Sequence, residues 1–271
     1  MYREWYFTEF YREEEIDDWV RGGRVKPCGT FGSYVLLINL DEKKDAQLDF
    51  TFFYEDRPPA KASYGLQAGR QGLVFLGERA TDVPEGVDIQ RRFSLRVQSS
   101  TPVIVQSTQG DYISGSPVTN NMVTNMFIPG PLGDQHRVWY YVDCIVLRNP
   151  TPLEEREWLA LLNPGTVPAN VTLTFIPGGG LWSGTARPTA ADTAEQPFQV
   201  QLQVPAERLF RTRLHEDIKE VQPNHHYGVR IESDQPITAQ ATRRIFERGN
   251  YAFSRSMAVL DCLPVGSLPI E

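Results

Sequence analysis

Several residue types on which catalysis usually depends are scarce in this sequence. Only three cysteines and four histidines occur among 271 residues. Cys28, Cys144 and Cys262 leave one thiol over however they are joined, and none forms a close pair of the metal-binding kind. They are expected to be buried thiols in a reducing compartment. His215, Glu216 and Asp217 with His225 and His226 could be drawn as a metal cluster. Adjacent histidines on a strand point to opposite faces, however, so no metal site is expected. The chain also lacks a glycine-rich phosphate loop, a nucleophile elbow and a Cys/His pairing at catalytic spacing. Glycoside cleavage needs two carboxyls ~5–10 Å apart, and only one acid recurs per half. The expectation is a protein that is not an enzyme and carries no cofactor.

Positive charge is also in short supply. Residues 1–133 hold 14 Lys and Arg against 18 Asp and Glu, and residues 134–271 hold 13 against 16. Neither half has the excess that draws in phosphate backbones, so nucleic acid is not an expected partner. No stretch approaches the ~20 apolar residues that cross a bilayer. The N-terminus, Met1-Tyr2-Arg3-Glu4-Trp5, shows no signal-peptide pattern. A cytoplasmic location without membrane insertion follows.

What the chain does contain, it contains twice. Val97 to Thr108 recurs without a gap as Ile231 to Thr242. Trp5-Tyr6-Phe7-Thr8-Glu9 matches Trp139-Tyr140-Tyr141-Val142-Asp143, and Leu37-Ile38-Asn39 matches Leu161-Leu162-Asn163. Leu48 to Phe52 matches Val171 to Phe175, and Ala68-Gly69-Arg70 matches Ala206-Glu207-Arg208. Five collinear matches in near-equal halves mean a duplicated domain rather than a solenoid, whose period would be ~20–50 residues. The Pro/Gly cluster from Pro129 to Asp134 sets the domains at 1–133 and 134–271.

Hydrophobic patterning is β throughout. Short β-branched and aromatic runs fill 33–40, 46–54, 92–98 and 102–108, and again 156–163, 170–177, 226–232 and 236–243. The predicted fold class is all-β: two tandem antiparallel sandwiches, jelly-roll-like, related by internal duplication. Two segments resist the pattern. Arg12 to Arg24 is acidic and reads as a helical turn or irregular excursion. The Gly/Ala/Thr/Pro-rich stretch 178–197, which contains Trp182, reads as a surface loop.

Alternation puts Trp5, Phe7 and Glu9 on one face of the first strand, and Trp139, Tyr141 and Asp143 on the equivalent face of its counterpart. Aromatics beside a carboxylate suit a polar ligand with an apolar side, such as a sugar; packing into the core is the alternative. Gln106 and Thr108, and again Gln240 and Thr242, share the face opposite Val103, Val105 and Ser107 or their counterparts. Arg243 follows in the second half only, where the first has Gln109, so the second copy could hold an anionic group. Arg70 and Arg208 lie in equivalent turns, placed either for ligand contact or for bonding to loop carbonyls.

Trp-x-x-x-acid, a strand ending Leu-x-Asn, Pro-Ala-x-Arg before a strand, and Pro-Ile/Val-x-x-Gln-x-Thr occur in the same order twice. Together they resemble the sensory-rhodopsin transducer family. The second half fits best, through Pro205-Ala206-Glu207-Arg208 and Gln240-Ala241-Thr242-Arg243; the first departs at Gln67-Ala68-Gly69-Arg70 and Gln109. The resemblance implies small soluble β-sandwich domains that form cyclic tetramers, relay a signal from a membrane photoreceptor, or bind small metabolites. The ligand positions it implies are Trp5, Glu9, Arg70, Gln106, Thr108, Trp139, Asp143, Arg208, Gln240, Thr242 and Arg243. Two fused copies need only pair to complete such a ring, so a homodimer with pseudo-four-fold symmetry is expected. Two functions stay open: a signalling protein that binds a small polar ligand, or an adaptor that couples to a protein partner such as a membrane sensor. Exposure separates them. An open cleft at Trp5 and Trp139 favours the ligand; a cleft filled by the neighbouring copy favours the adaptor.

Overall fold

The computed structural model describes residues 2–10, 29–76, 84–89, 91–113, 121–124, 127–145, 153–178, 196–222, 225–247, 250–261 and 263–264. The acidic segment 12–24, Cys28, Cys262, and Trp182 with the loop around it lie outside the described residues. Apart from one 3-10 turn at Asp134–Arg137, the described elements are strands. In the first half these are β1 (Glu4–Phe10), β2 (Gly29–Asn39), β3 (Ala46–Tyr54), β4 (Ala60–Leu66), β5 (Gln71–Phe75), β6 (Phe93–Ser99), β7 (Val103–Ile113), β8 (Asn121–Thr124) and β9 (Phe127–Pro129). The second half follows with β10 (Val138–Ile145), β11 (Leu153–Asn163), β12 (Ala169–Pro177), β13 (Phe198–Val204), β14 (Arg208–Arg213), β15 (His226–Ser233), β16 (Thr238–Glu247), β17 (Asn250–Asp261) and β18 (Leu263–Pro264).

Each half is built from two antiparallel sheets. The first pairs the order β4-β3-β6-β1-β9 with β5-β2-β7-β8; the second pairs β13-β12-β15-β10-β18 with β14-β11-β16-β17. Registers agree as well as orders. Trp5 lies opposite Val97 and Trp139 opposite Ile231, each displaced by 134 positions. Leu36 lies between Gln106 and Leu73, as Ala160 lies between Gln240 and Arg211. The same register shift recurs after Phe7 in β1 and after Tyr141 in β10. A position in one half can therefore be compared with its counterpart through backbone pairing alone.

Alternation accounts for the cores. Leu48, Phe50 and Phe52 of β3 meet Val35 and Leu37 of β2 and Val103 and Val105 of β7, with Trp5, Phe7 and Phe93 closing the layer. In the second half Val171, Leu173 and Phe175 meet Leu159, Leu161, Ala239 and Ala241, with Trp139 and Tyr141. Side chains two apart on a strand share a face, so a strict apolar period of two fills the space between sheets. The turn residues common to both halves have structural work. Asn39 Nδ2 donates to the Lys44 carbonyl at 2.7 Å, and Asn163 Nδ2 to that of Val167 at 2.8 Å, so the Leu-x-Asn motif closes a turn in both halves. The turn before β5 or β14 needs a left-handed residue: Gly69 has φ 61° and its counterpart Glu207 has φ 53°.

The halves join at the 3-10 turn. His136 Nδ1 accepts the Gly133 N–H at 3.0 Å, while its carbonyl accepts Trp139 Nε1 at 3.0 Å and the Ile237 N–H at 3.1 Å. Burial pushes the imidazole below its ordinary pKa. The unfolded chain, with an imidazole pKa near ~6.5, then takes up the proton first. His136 therefore contributes full stability above that value and loses it as pH falls towards the folded pKa. Urea midpoints between about pH 7.5 and 5.5 should show wild type losing stability relative to His136→Asn. A wild-type–variant difference that stays constant across that range contradicts this role.

Candidate functional site

The most polar buried region described lies between the two sandwiches. It forms because the outer face of the β1–β3–β6 sheet packs on the outer face of the β11–β14–β16 sheet. Tyr6 and Phe53, with Ile128, belong to one apolar cluster with second-half residues, Leu162 among them. Within that apolar surround Thr8 Oγ1 and Thr238 Oγ1 are 2.7 Å apart. Beside them Glu9, wholly buried, meets Arg211 Nε at 2.8 Å through Oε1 and accepts the Thr242 hydroxyl at 3.1 Å through Oε2. The Arg211 guanidinium lies over the Trp158 ring, 4.7 Å from its centroid. Arg96 covers Phe53 at 5.7 Å, and Tyr6 donates to Glu4 at 2.8 Å. Burial, with Glu4 next to it, pushes the Tyr6 phenol well above its ordinary pKa, so it remains a donor.

The bulge in β1 explains how Glu9 gets there. Strict alternation predicts Trp5, Phe7 and Glu9 on one face. The register shift between Phe7 and Phe10 instead keeps Phe7 and Phe10 in the core and turns both Thr8 and Glu9 towards the second half.

Other candidate residues are dispersed. Trp5 is 6% exposed and Trp139 0%, both inside their sandwich cores. Asp143 follows on β10, its side chain outside the described residues. Gln240 and Thr242 are buried against the first half, whereas their counterparts differ: Gln106 is exposed and Thr108 is just covered. Arg70 is exposed and its carbonyl accepts the Asn39 N–H at 3.0 Å. Arg208 bonds the Glu207 carbonyl at 3.0 Å, the loop-carbonyl role open to it from sequence. Arg243 lies 3.4 Å from Glu157 and 3.5 Å from the Tyr141 hydroxyl, which itself donates to Glu157. Its charge is thus met from inside the protein. The first half has Phe7, Ser33 and Gln109 at those places.

Sequence reasoning missed Arg211, Trp158, Thr238 and Glu157. A signal for three of them existed in the comparison of the halves: Arg211 stands where the first half has Leu73, Thr238 where it has Ile104, and Glu157 where it has Ser33. Such a departure at a strand-paired position marks where one half meets an environment the other does not.

Fold and joint define a class: a two-sandwich protein in which three of the polar candidate residues, Glu9, Gln240 and Thr242, are buried where the halves meet. Residues 31–126 match the family model described as Anabaena sensory rhodopsin transducer, which bears out the resemblance over the first sandwich. No curated protein matches. Among solved structures, the crystal structure of Thermotoga maritima 1070 is similar at a TM-score of 0.35 and 15% identity, over 48% of this chain and 96% of that one.

Removing one partner of a buried ion pair strands the other charge, at a cost of about 3–5 kcal/mol. Glu9→Gln and Arg211→Met should each destabilise on that scale, measured by urea unfolding, while the double variant loses no more than one single. Strictly additive losses would mean that the two residues are not coupled.

Proposed function

We propose that this protein is a non-enzymatic adaptor of the transducer type, acting in the cytoplasm by docking to a protein partner such as a membrane sensor. Its units are two tandem copies of one sandwich, residues 1–133 and 134–271. Two chains associate in this reading into a pseudo-four-fold ring that displays the same face repeatedly to the partner. The observation that carries it is the burial of Glu9, Gln240 and Thr242 between the halves, with Trp5 and Trp139 in the cores. Five of the residues that would have lined sugar sites, Trp5, Glu9, Trp139, Gln240 and Thr242, are taken up by the protein's own packing, which favours the adaptor over the small-ligand reading. The match of residues 31–126 to a transducer family supports the same choice. Among the described residues no helix is long and apolar enough to cross a membrane.

The test sets two measurements side by side. A ligand at 100 times its Kd stabilises a protein by about 2.7 kcal/mol, so a thermal-shift panel of sugars, sugar acids and polyols would expose a ligand-binding protein. The expected result is no shift with that panel, and saturable calorimetric binding to a microbial sensory rhodopsin in nanodiscs. A sugar that raises the Tm in a saturable way, with no binding to the rhodopsin, returns the function to ligand sensing.

A further inference from the structure

A β-sheet ends in strands whose outer backbone groups have no neighbour, and proteins guard such edges with charge, Pro, a bulge or short length. Most of the described edges follow that rule. β14 carries Arg208, Arg211 and Arg213, β17 carries Arg255 and Asp261, and β4 carries Lys61 and Gly65. β9 and β18 are short and hold Pro129 and Pro264; β5 is short and interrupted by Gly72, and the four-residue β8 lies against β17. β13 is the exception. Phe198-Gln199-Val200-Gln201-Leu202-Gln203-Val204 runs for seven residues without charge, Pro or Gly, and among the described residues it pairs with β12 alone.

Register sets β13 against its first-half counterpart, β4. Phe198 and Val200 stand where β4 has Ala60 and Ala62, Gln199 where it has Lys61, and Gln203 where it has Gly65. Phe198, Val200 and Leu202 are half-buried and pack on the core of the second sandwich, forming an apolar rim where that core reaches the edge. On the opposite face Gln199 donates to Thr174 Oγ1 and Gln203 to Asn170 Oδ1, both at 3.2 Å. Gln201 stands between them, exposed and with no side-chain partner among the described residues. Its first-half counterpart Ser63 is tied to Asp49 at 2.7 Å. Gln201 opens instead onto a groove of about 430 Å³, lined also by Asn170, Val171, Thr172, Leu202 and Gln203.

We propose that the outer edge of β13 docks an extended segment of a partner protein as an added β-strand. In an antiparallel strand alternate residues turn their N–H and C=O outward, and another extended backbone meets such a row at its own spacing. The side chains decide what the segment carries. It is uncharged, with apolar residues covering the rim of Phe198, Val200 and Leu202 and hydroxyl or amide residues at the alternating positions beside Gln201. The chain's own stretch 178–197 does not offer that pattern, because Gly, Ala, Thr and Pro dominate it and Arg187, Asp192 and Glu195 interrupt it. A second copy pairing β13 with β13 would join two sandwiches along seven residues a side, whereas stable interfaces use ~20–30. A peptide needs only the edge. The inference deepens the adaptor reading; it rests on that reading for the kind of partner and not for the site.

The probe is a labelled peptide alternating valine and threonine, with a lysine at each end for solubility, added to the full chain. Fluorescence anisotropy should show saturable binding, and hydrogen exchange should slow in 198–204 without slowing in β4. The same peptide N-methylated throughout keeps its side chains but cannot donate, and should not bind. Val200→Lys puts an inward charge on the rim and should weaken binding by about tenfold or more. Leu40→Lys, at an exposed turn position of the first half, should leave it unchanged. The methylated peptide decides the case independently of how Val200→Lys folds. No saturable binding, equal binding of the methylated peptide, an undiminished Val200→Lys, or protection in β4 instead of β13 overturns the proposal. So does a wild type already paired through β13 with a second copy, seen as slow exchange of 198–204 that quickens on dilution. A chain that binds the rhodopsin but not the peptide keeps the adaptor reading and loses this site; one that binds the peptide but not the rhodopsin does the reverse.

Discussion

Two sheet faces of different character, one from each half, share a single buried surface, and the arrangement of the molecule depends on their fit. At its centre is a carboxylate with nowhere else to go. Glu9 is buried by the second sandwich, with Arg211 and Thr242 placed to meet its two oxygens. A slip of the two faces by one strand position would break both of these contacts. The apolar contacts of Tyr6, Phe53 and Ile128 supply most of the attraction, since area removed from water is what stabilises such a contact. The polar cluster sets the register in which that attraction operates.

The constraint propagates outward from there. Each half owns a face of either kind, and among the described residues each buries one of them against the other half. Differences between the halves follow that division of labour. Positions inside the sandwiches stay similar, as Trp5 with Trp139 or Leu48 with Val171, while the outer positions exchange polarity, as Thr8 with Val142 and Arg211 with Leu73. The second sandwich also acquires an internal Tyr141–Glu157–Arg243 cluster that the first lacks, so the copies differ inside at one end as well. That cluster neutralises the one arginine whose position had favoured an anionic ligand.

Strands were legible wherever period-two alternation was strong. The run 46–54 is β3 to the residue, and Asn39 and Asn163 end β2 and β11 as the Leu-x-Asn motif expects. The twofold repetition of the chain corresponds to two sandwiches of equal strand order. What could not be read was the bulge after Phe7, because one inserted position looks the same in sequence as continued alternation. The joint was illegible for a related reason. Outer faces of sandwiches carry Thr, Gln and Arg whether they meet water or another domain, so nothing in the sequence alone marks Arg211 and Thr238 as buried. Only strand pairing, which sets Arg211 beside Ala160 and Leu73 beside Leu36, makes the contrast between the copies visible.

The account stands on the joint between the two halves, and cysteine trapping measures that directly. With the three native cysteines replaced by alanine, Thr8→Cys with Thr238→Cys should oxidise to an intrachain bridge, read as the loss of both free thiols while the chain stays at 30.8 kDa on a non-reducing gel. The contradictory result is a pair whose thiols stay free under the same oxidant, or that closes only between chains.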